Sequence, residues 1–226
     1  FNDDSLLRWS WKDLCFFRIN DEELYLKRFE AFARMYESFY LGKREFAYEP
    51  EDQYDIFTYP DLDLSIVMLN SCFNNDPLRR IASFDTECLA KAFQELDGQE
   101  HLGHLKLAAW HHSILGMPYE DDYLGIDFLQ ILIDAGISLG LHGHHHKSNC
   151  IDEQSKVGFS NRKISVISTG TLCAGRSGIP YGKTRCFNLI QIDNDNWTCS
   201  VHLRNMKNDN LKFPIWGAGN FVETNE

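Results

Sequence analysis

Five of the nine histidines in this 226-residue chain fall in two short runs. His111 and His112 close the apolar run 105–110, and His144, His145 and His146 follow Gly143 after the apolar run 137–142. Neutral imidazole is the commonest protein ligand for zinc, manganese and iron. Two strand ends that each deliver imidazoles into a loop build a metal site at the rim of a sheet. Gly143 is expected to let the backbone turn as the ligands begin. The alternating pair His144 and His146 can reach two metals from one loop. Each run alone has a plainer reading, His111 and His112 as a polar strand end and the triplet as a solvated loop. The presence of both at successive strand ends favours ligation.

The elements that must position these runs are legible in the pattern of apolar residues. Residues 54–59 and 64–70 read as strands about the turn 60–63, and 83–85 open a helix ending near Leu96. Residues 105–110 form a strand, 124–135 a helix ended by Gly136, and 137–141 the next strand. This strand-helix-strand crossover puts both histidine runs at carboxyl ends of strands, where ligand sites of open α/β sheets sit. Strands are also expected at 163–168, 185–193 and 197–203, the last two joined by a turn at 194–196. Residues 170–182 read as a loop. Upstream, Asn20 is expected to cap a helix over 21–40, ended by Gly42. Leu24, Phe32, Met35 and Phe39 recur at helical spacing, which predicts a buried face. His101 and His104 read as solvated loop residues, and Asp121 and Asp122 likewise. His142 reads as equally structural or functional. Asn70 and Ser71 read as strand-end hydrogen bonders, and Trp110 and Tyr123 as packing or cleft walls. Arg176, Lys183 and Arg185 read as balancing an acidic surface.

Length and composition fit one soluble globular domain. No apolar run spans a bilayer. The formal charge of −11 disfavours non-specific nucleic-acid binding, which calls for a basic surface. Nucleic acid stays open as a substrate, because bound divalent metals offset charge where a phosphate sits. The seven cysteines are scattered, with no Cys-x-x-Cys. They read as small buried hydrophobes in a reducing cytoplasm.

The two runs and the elements between them resemble the calcineurin-like metallophosphoesterase superfamily. Trp110-His111-His112-Ser113 and Gly143-His144-His145-His146 match its strand-end histidine and its Gly-His-x-His motif. The segment 167–171 resembles the strand and small-residue turn that follow. The resemblance spans residues 65–204. It implies an α/β fold, an αββα sandwich of two mixed β-sheets flanked by helices. It also implies two divalent metal ions (manganese, iron or zinc) and a phosphodiester or phosphomonoester substrate attacked by metal-activated water. Two metals roughly 3.5–4 Å apart neutralise such an anion and stabilise the attacking and leaving oxygens. Carried over position by position, His111 and His144 bind one metal and His146 the other. His112 and His145 then support these ligands or face the cleft.

The family's earlier motifs, Asp-x-His, Gly-Asp and Gly-Asn-His, are not in these 226 residues. They carry the bridging carboxylate and the catalytic histidine. The resemblance therefore implies that residues 1–206 are the carboxyl-terminal part of the domain, beginning after the third motif, with 1–50 a helical insertion. An amino-terminal segment or partner chain would supply the carboxylates, and the chain alone is expected to be inactive. Residues 207–226 read as a surface extension or linker. Two alternatives stay open: a non-catalytic phosphoesterase-fold module used for binding or scaffolding, and a mononuclear zinc hydrolase using His111, His144 and His146 with Glu120 or Asp121 as base.

Overall fold

A computed structural model describes residues 6–10, 13–78, 80–116, 122–146, 148–154, 162–175, 178–179, 181–193, 198–208 and 210–219. Its centre is a six-stranded mixed sheet. Strands β3 (Tyr54–Tyr59), β4 (Leu64–Leu69), β5 (Leu105–Ala109), β6 (Leu139–His142), β7 (Asn149–Gln154) and β8 (Lys163–Ser168) run in the order β3-β4-β5-β6-β8-β7. The four inner strands are parallel, and β3 and β7 close the edges antiparallel. Strand β7 escapes a reading by apolar pattern, because its sequence Asn-Cys-Ile-Asp-Glu-Gln is mostly polar.

Helix α3 (Thr86–Leu96) links β4 to β5, and α4 (Asp127–Asp134) links β5 to β6. Both crossovers step the same way across the sheet, so right-handed connection puts both helices on one face. Asp85 starts α3 by accepting from Cys88 N at 2.9 Å, an N-cap that satisfies one orphan donor. Leu89, Ala92 and Leu96 of α3 and Phe128, Leu129, Leu132 and Ile133 of α4 then pack on Val67, Ala108 and Val166. Each fully buried leucine or isoleucine there contributes about 1.5–3 kcal/mol. Gly136, at φ +78°, ends the turn after α4.

The opposite face follows from the two-residue period of the strands. Leu107, Leu139 and Ile167 point there and meet Ile190, Ile192 and Val201. These last belong to a second sheet, β9 (Cys186–Asp193), β10 (Thr198–Met206) and β11 (Trp216–Ala218), in the order β11-β10-β9. This sheet is antiparallel throughout, which corrects the expectation of two mixed sheets. Its strands are sequential neighbours that return on each other without a crossover. The turn expected at 194–196 lies outside the described residues. Strand β11 arises inside the expected tail, where Lys207 N donates to Ile215 O at 2.7 Å and draws the chain back along β10.

The amino-terminal segment departs most from expectation. A hairpin, β1 (Leu7–Ser10) and β2 (Cys15–Arg18), precedes the helical stretch. Asp21 is the cap, accepting from Leu24 N at 2.8 Å. The expected single helix is divided into α1 (Glu22–Leu26), a 3-10 turn at Lys27–Phe29, and α2 (Glu30–Phe39). Arg28, at the break, donates to the carbonyls of Tyr25, Phe73 and Asn75. These bonds override helix propensity. The expected buried face is exposed: Leu24 is 65% exposed, Met35 52% and Phe39 73%. Helix α2 packs instead through Tyr36 and Tyr40, whose partners Asp55 and Phe57 point to the second-sheet side of β3.

All seven cysteines are free, and Cys88 and Cys186 are buried. Cys15, Cys150, Cys173 and Cys199 are exposed, against the expectation of burial. No helix among the described residues is long and apolar enough to cross a membrane.

Candidate metal centre

The carboxyl ends of β4, β5 and β6 meet at one rim, and backbone bonds lock the last two together. Trp110 N donates to Leu141 O at 3.0 Å, and Gly143 N donates to His111 O at 3.1 Å. Trp110 is buried, stacked on His142 at 5.8 Å and edge-on to Phe128 at 5.4 Å. Its indole Nε1 donates to His112 O at 2.7 Å, fixing the first histidine run. Gly140 makes room for this indole, since a Cβ there would sit 2.6 Å from Trp110 Cη2.

The second run turns at its histidines and not at the glycine expected to do so. His144 has φ +72° and His146 φ +54°, whereas Gly143 is not among the positive-φ residues. Histidine tolerates the left-handed region better than most side chains. Such positions cost on the order of 1–3 kcal/mol each and cluster at functional sites.

His111, His112 and His144 each offer a ring nitrogen, and these atoms all lie within 4.8 Å of one another. Nε2 of His111 and Nδ1 of His144 are 3.1 Å apart. Nitrogens bound 2.0–2.1 Å from one tetrahedral ion stand roughly 3.3 Å apart, so this pair has nearly the spacing of two ligands. Asp122 stands beside the group, with Oδ2 3.0 Å from His144 Nε2 and Oδ1 3.3 Å from His112 Nε2. Ser71, just past β4, holds the other side. Its Oγ accepts from His111 N and His112 N at 3.1 Å each and lies 2.8 Å from His112 Nδ1.

One point of this network carries a conflict. Asn75 Oδ1 accepts from Ile81 N at 2.6 Å, which assigns Nδ2 as the donor facing His112 Nε2 at 3.2 Å. Asp122 Oδ1, an acceptor, faces the same nitrogen. A proton on Nε2 suits Asp122 and opposes Asn75, and a bare lone pair does the reverse. Imidazole and carboxylate are nonetheless the donor types that hold divalent ions of the zinc or manganese kind.

Electrostatics agree with ligation by neutral rings. Burial pushes His111 below the ordinary imidazole range, and the neighbouring His144 adds to this. Burial, then the charges of His111 and His144, push His112 down to about 4. His142 is also held at about 4 by burial. At neutral pH these rings keep their lone pairs.

The remaining residues fall out as follows. His146 bonds through Nδ1 to Gly178 O and stands outside the cluster. His145 stacks on Tyr123 at 4.7 Å and 15°. His112, expected beside the ligands, is fully buried and inside the cluster. Asp122, read as solvated, contacts two of the three rings; its position depends on a loop closed by Leu124 N donating to Ser113 O at 2.9 Å. His101, also read as solvated, is buried, and Ser65 Oγ lies 2.9 Å from His101 Nδ1 and 2.8 Å from His104 Nδ1. Arg185 is buried, donating to Ala174 O at 2.9 Å, and so does not balance surface charge. Glu120, Asp121 and Arg176 lie outside the described residues. Asn75 had no motif to reveal it. Compared with protein-family models and with curated proteins, the chain matches none.

Proposed function

We propose that this chain carries the imidazole side of a metal-dependent phosphoesterase centre of the calcineurin-like kind. The observation that carries this reading is the approach of His111 and His144 to 3.1 Å from the ends of adjacent parallel strands. His146 is set apart on the Gly178 side. On this reading His111 and His144 serve one ion and His146 another. A divalent ion held here supplies positive charge that neutralises a phosphoester and acidifies water. His111 and His144 hold the ion, with His112 and Asp122 beside them. Ser71 fixes the backbone of both His111 and His112. The second ion of the pair needs carboxylates from the Asp-x-His and Gly-Asp motifs, which these 226 residues do not contain. The chain by itself is therefore expected to bind one ion and not to hydrolyse.

One observation favours a mononuclear alternative. Asp122 touches both His112 and His144, so a carboxylate lies beside the three clustered imidazoles within one chain. Metal analysis separates the readings. Manganese titrated into the chain should bind as one ion, lost in His144→Ala, with bis-p-nitrophenyl phosphate hydrolysed only by protein that also contains the carboxylate motifs. Hydrolysis by this chain with one zinc bound supports the mononuclear site. Absence of any metal binding overturns both.

A further inference from the structure

We propose that the cavity beneath α2 holds the apolar, aromatic part of a phosphoester substrate and presents its ester end to His111. This inference rests on reading the histidine cluster as a phosphoester site. The cavity measures about 530 Å³, within the range of small-molecule sites. Phe32, Tyr36 and Phe46 form its outer wall, and Met68 and Ala109 form its floor on β4 and β5. Met68 and Ala109 are cross-strand partners on the sheet face that α2 covers. His111 lies two residues further along the same strand direction, and it also lines the cavity.

Ser71 and His111 belong to both the cavity and the histidine cluster. A ligand filling the cavity therefore has its inner end at the ring that stands 3.1 Å from His144. The outer wall is built of aromatic rings that meet edge-on. Phe32 and Phe46 lie 5.0 Å apart at 86°, and Tyr36 and Phe46 lie 6.5 Å apart at 63°. An edge-on pair covers a face of only one of its two rings, and an aromatic ligand pairs with open faces or edges in the same geometries. The carboxylate of Asp55 on this wall is engaged by Tyr36 and Arg44, so it is already matched with a cation. Phe32 is 44% exposed and Met68 42% exposed. Large apolar side chains left half-open on two sides of a concavity mark a binding surface. An apolar body with one anionic end, as in an aryl phosphoester, fits both the wall and the histidines.

The test uses the 226-residue chain and three probes: 1-naphthyl phosphate, inorganic phosphate and 1-naphthol. With manganese present, 1-naphthyl phosphate should bind on the order of tenfold or more tighter than inorganic phosphate, through the apolar area it buries. Metal-free chain should still bind 1-naphthol. Phe32→Asp should erase the preference for the naphthyl group, with one manganese per chain retained as the sign that the fold survives. Met68→Lys, from the floor, should do the same and stands in if Phe32→Asp does not fold. Manganese binding without preference for 1-naphthyl phosphate overturns the cavity assignment alone. Binding of 1-naphthol with no manganese binding overturns the phosphoester reading, and with it the ester end of this proposal. Retention of the preference in both variants overturns the assignment of these walls.

Discussion

The carboxylate of Asp122 lies 3.0 Å from Nε2 of His144, 22 residues further along the chain. Asp122 sits at the end of the loop after β5, and His144 in the loop after β6, so the contact ties the two strand ends across their mouths. A carboxylate on one ring nitrogen fixes an imidazole's tautomer and orientation, and it makes the other nitrogen a better ligand. Here that other nitrogen is Nδ1, the one facing His111.

Asp122→Asn tests this tie with little change in shape. The amide keeps the size and loses the charge, so it no longer strengthens His144 as a ligand. Affinity for manganese or zinc should fall by about 10–100-fold, with an unchanged far-ultraviolet circular dichroism spectrum. Calorimetric titration reads the difference. Equal affinity in the two proteins would mean that Asp122 is a surface residue that happens to lie near.

Asp122 also shows where the sequence runs out. The histidine runs and the crossover between them are local patterns, and β5, α4 and β6 appear within a few residues of where periodicity puts them. The carboxylate in a loop has no period, and only the closure of that loop brings it to His144. The same holds for Asn75, which reaches His112 because Arg28 and Ile81 fix its loop. Helix α2 fails differently. Its helical spacing is real, but tyrosines that bond Asp55 and pack against Phe57 outcompete its aliphatic face for contact with the sheet. Left-handed φ at His144 and His146 was likewise invisible, since a neighbouring glycine is the usual candidate for such a turn.

His144→Ala and His146→Ala should differ sharply in this chain. Removing His144 takes away both the partner of His111 and the ring that Asp122 orients, so metal binding should be lost. Removing His146 breaks a bond to Gly178 O, with a cost of about 0.5–1.5 kcal/mol in stability and little change in affinity for the first ion. Parallel metal titrations and urea melts measure both effects. Equal loss of the first ion in the two variants would place His146 among its ligands.

Acid should destabilise the metal-free chain through its buried imidazoles. An unfolded histidine takes up its proton near pH 6.5, whereas folded His112 and His142 do so only at about 4. Between these values the unfolded state binds more protons, so stability falls as pH drops. Above about pH 8 neither residue contributes to the slope. The window from about pH 6.5 down to 5 isolates them from most carboxylates, which titrate lower. Thermal melts across that window should show Tm declining with acid, and His112→Gln should flatten the decline. An equal slope in the variant would show that His112 takes up its proton alike in both states.

Gly140→Ala should damage the site from beneath. Gly140 lies in the middle of β6 and touches no ligand, yet its missing side chain leaves space for the Trp110 ring. A methyl group there meets the indole at 2.6 Å, too close for contact, so the ring must shift. Overpacking of this kind costs about 1–3 kcal/mol, which a shift in urea midpoint will show. The shift has a second consequence. Trp110 holds His112 through a 2.7 Å bond to its carbonyl and also stacks on His142, so displacing it loosens the first histidine run and the strand end that leads into the second. Manganese affinity should therefore fall along with stability. Ala108→Gly, at a fully buried neighbour on β5 that also lies off the site, supplies the control. It should lower stability by a similar amount and leave affinity near the parent value. Equal affinities in the two variants at matched stability would break the link between Trp110 and the metal centre.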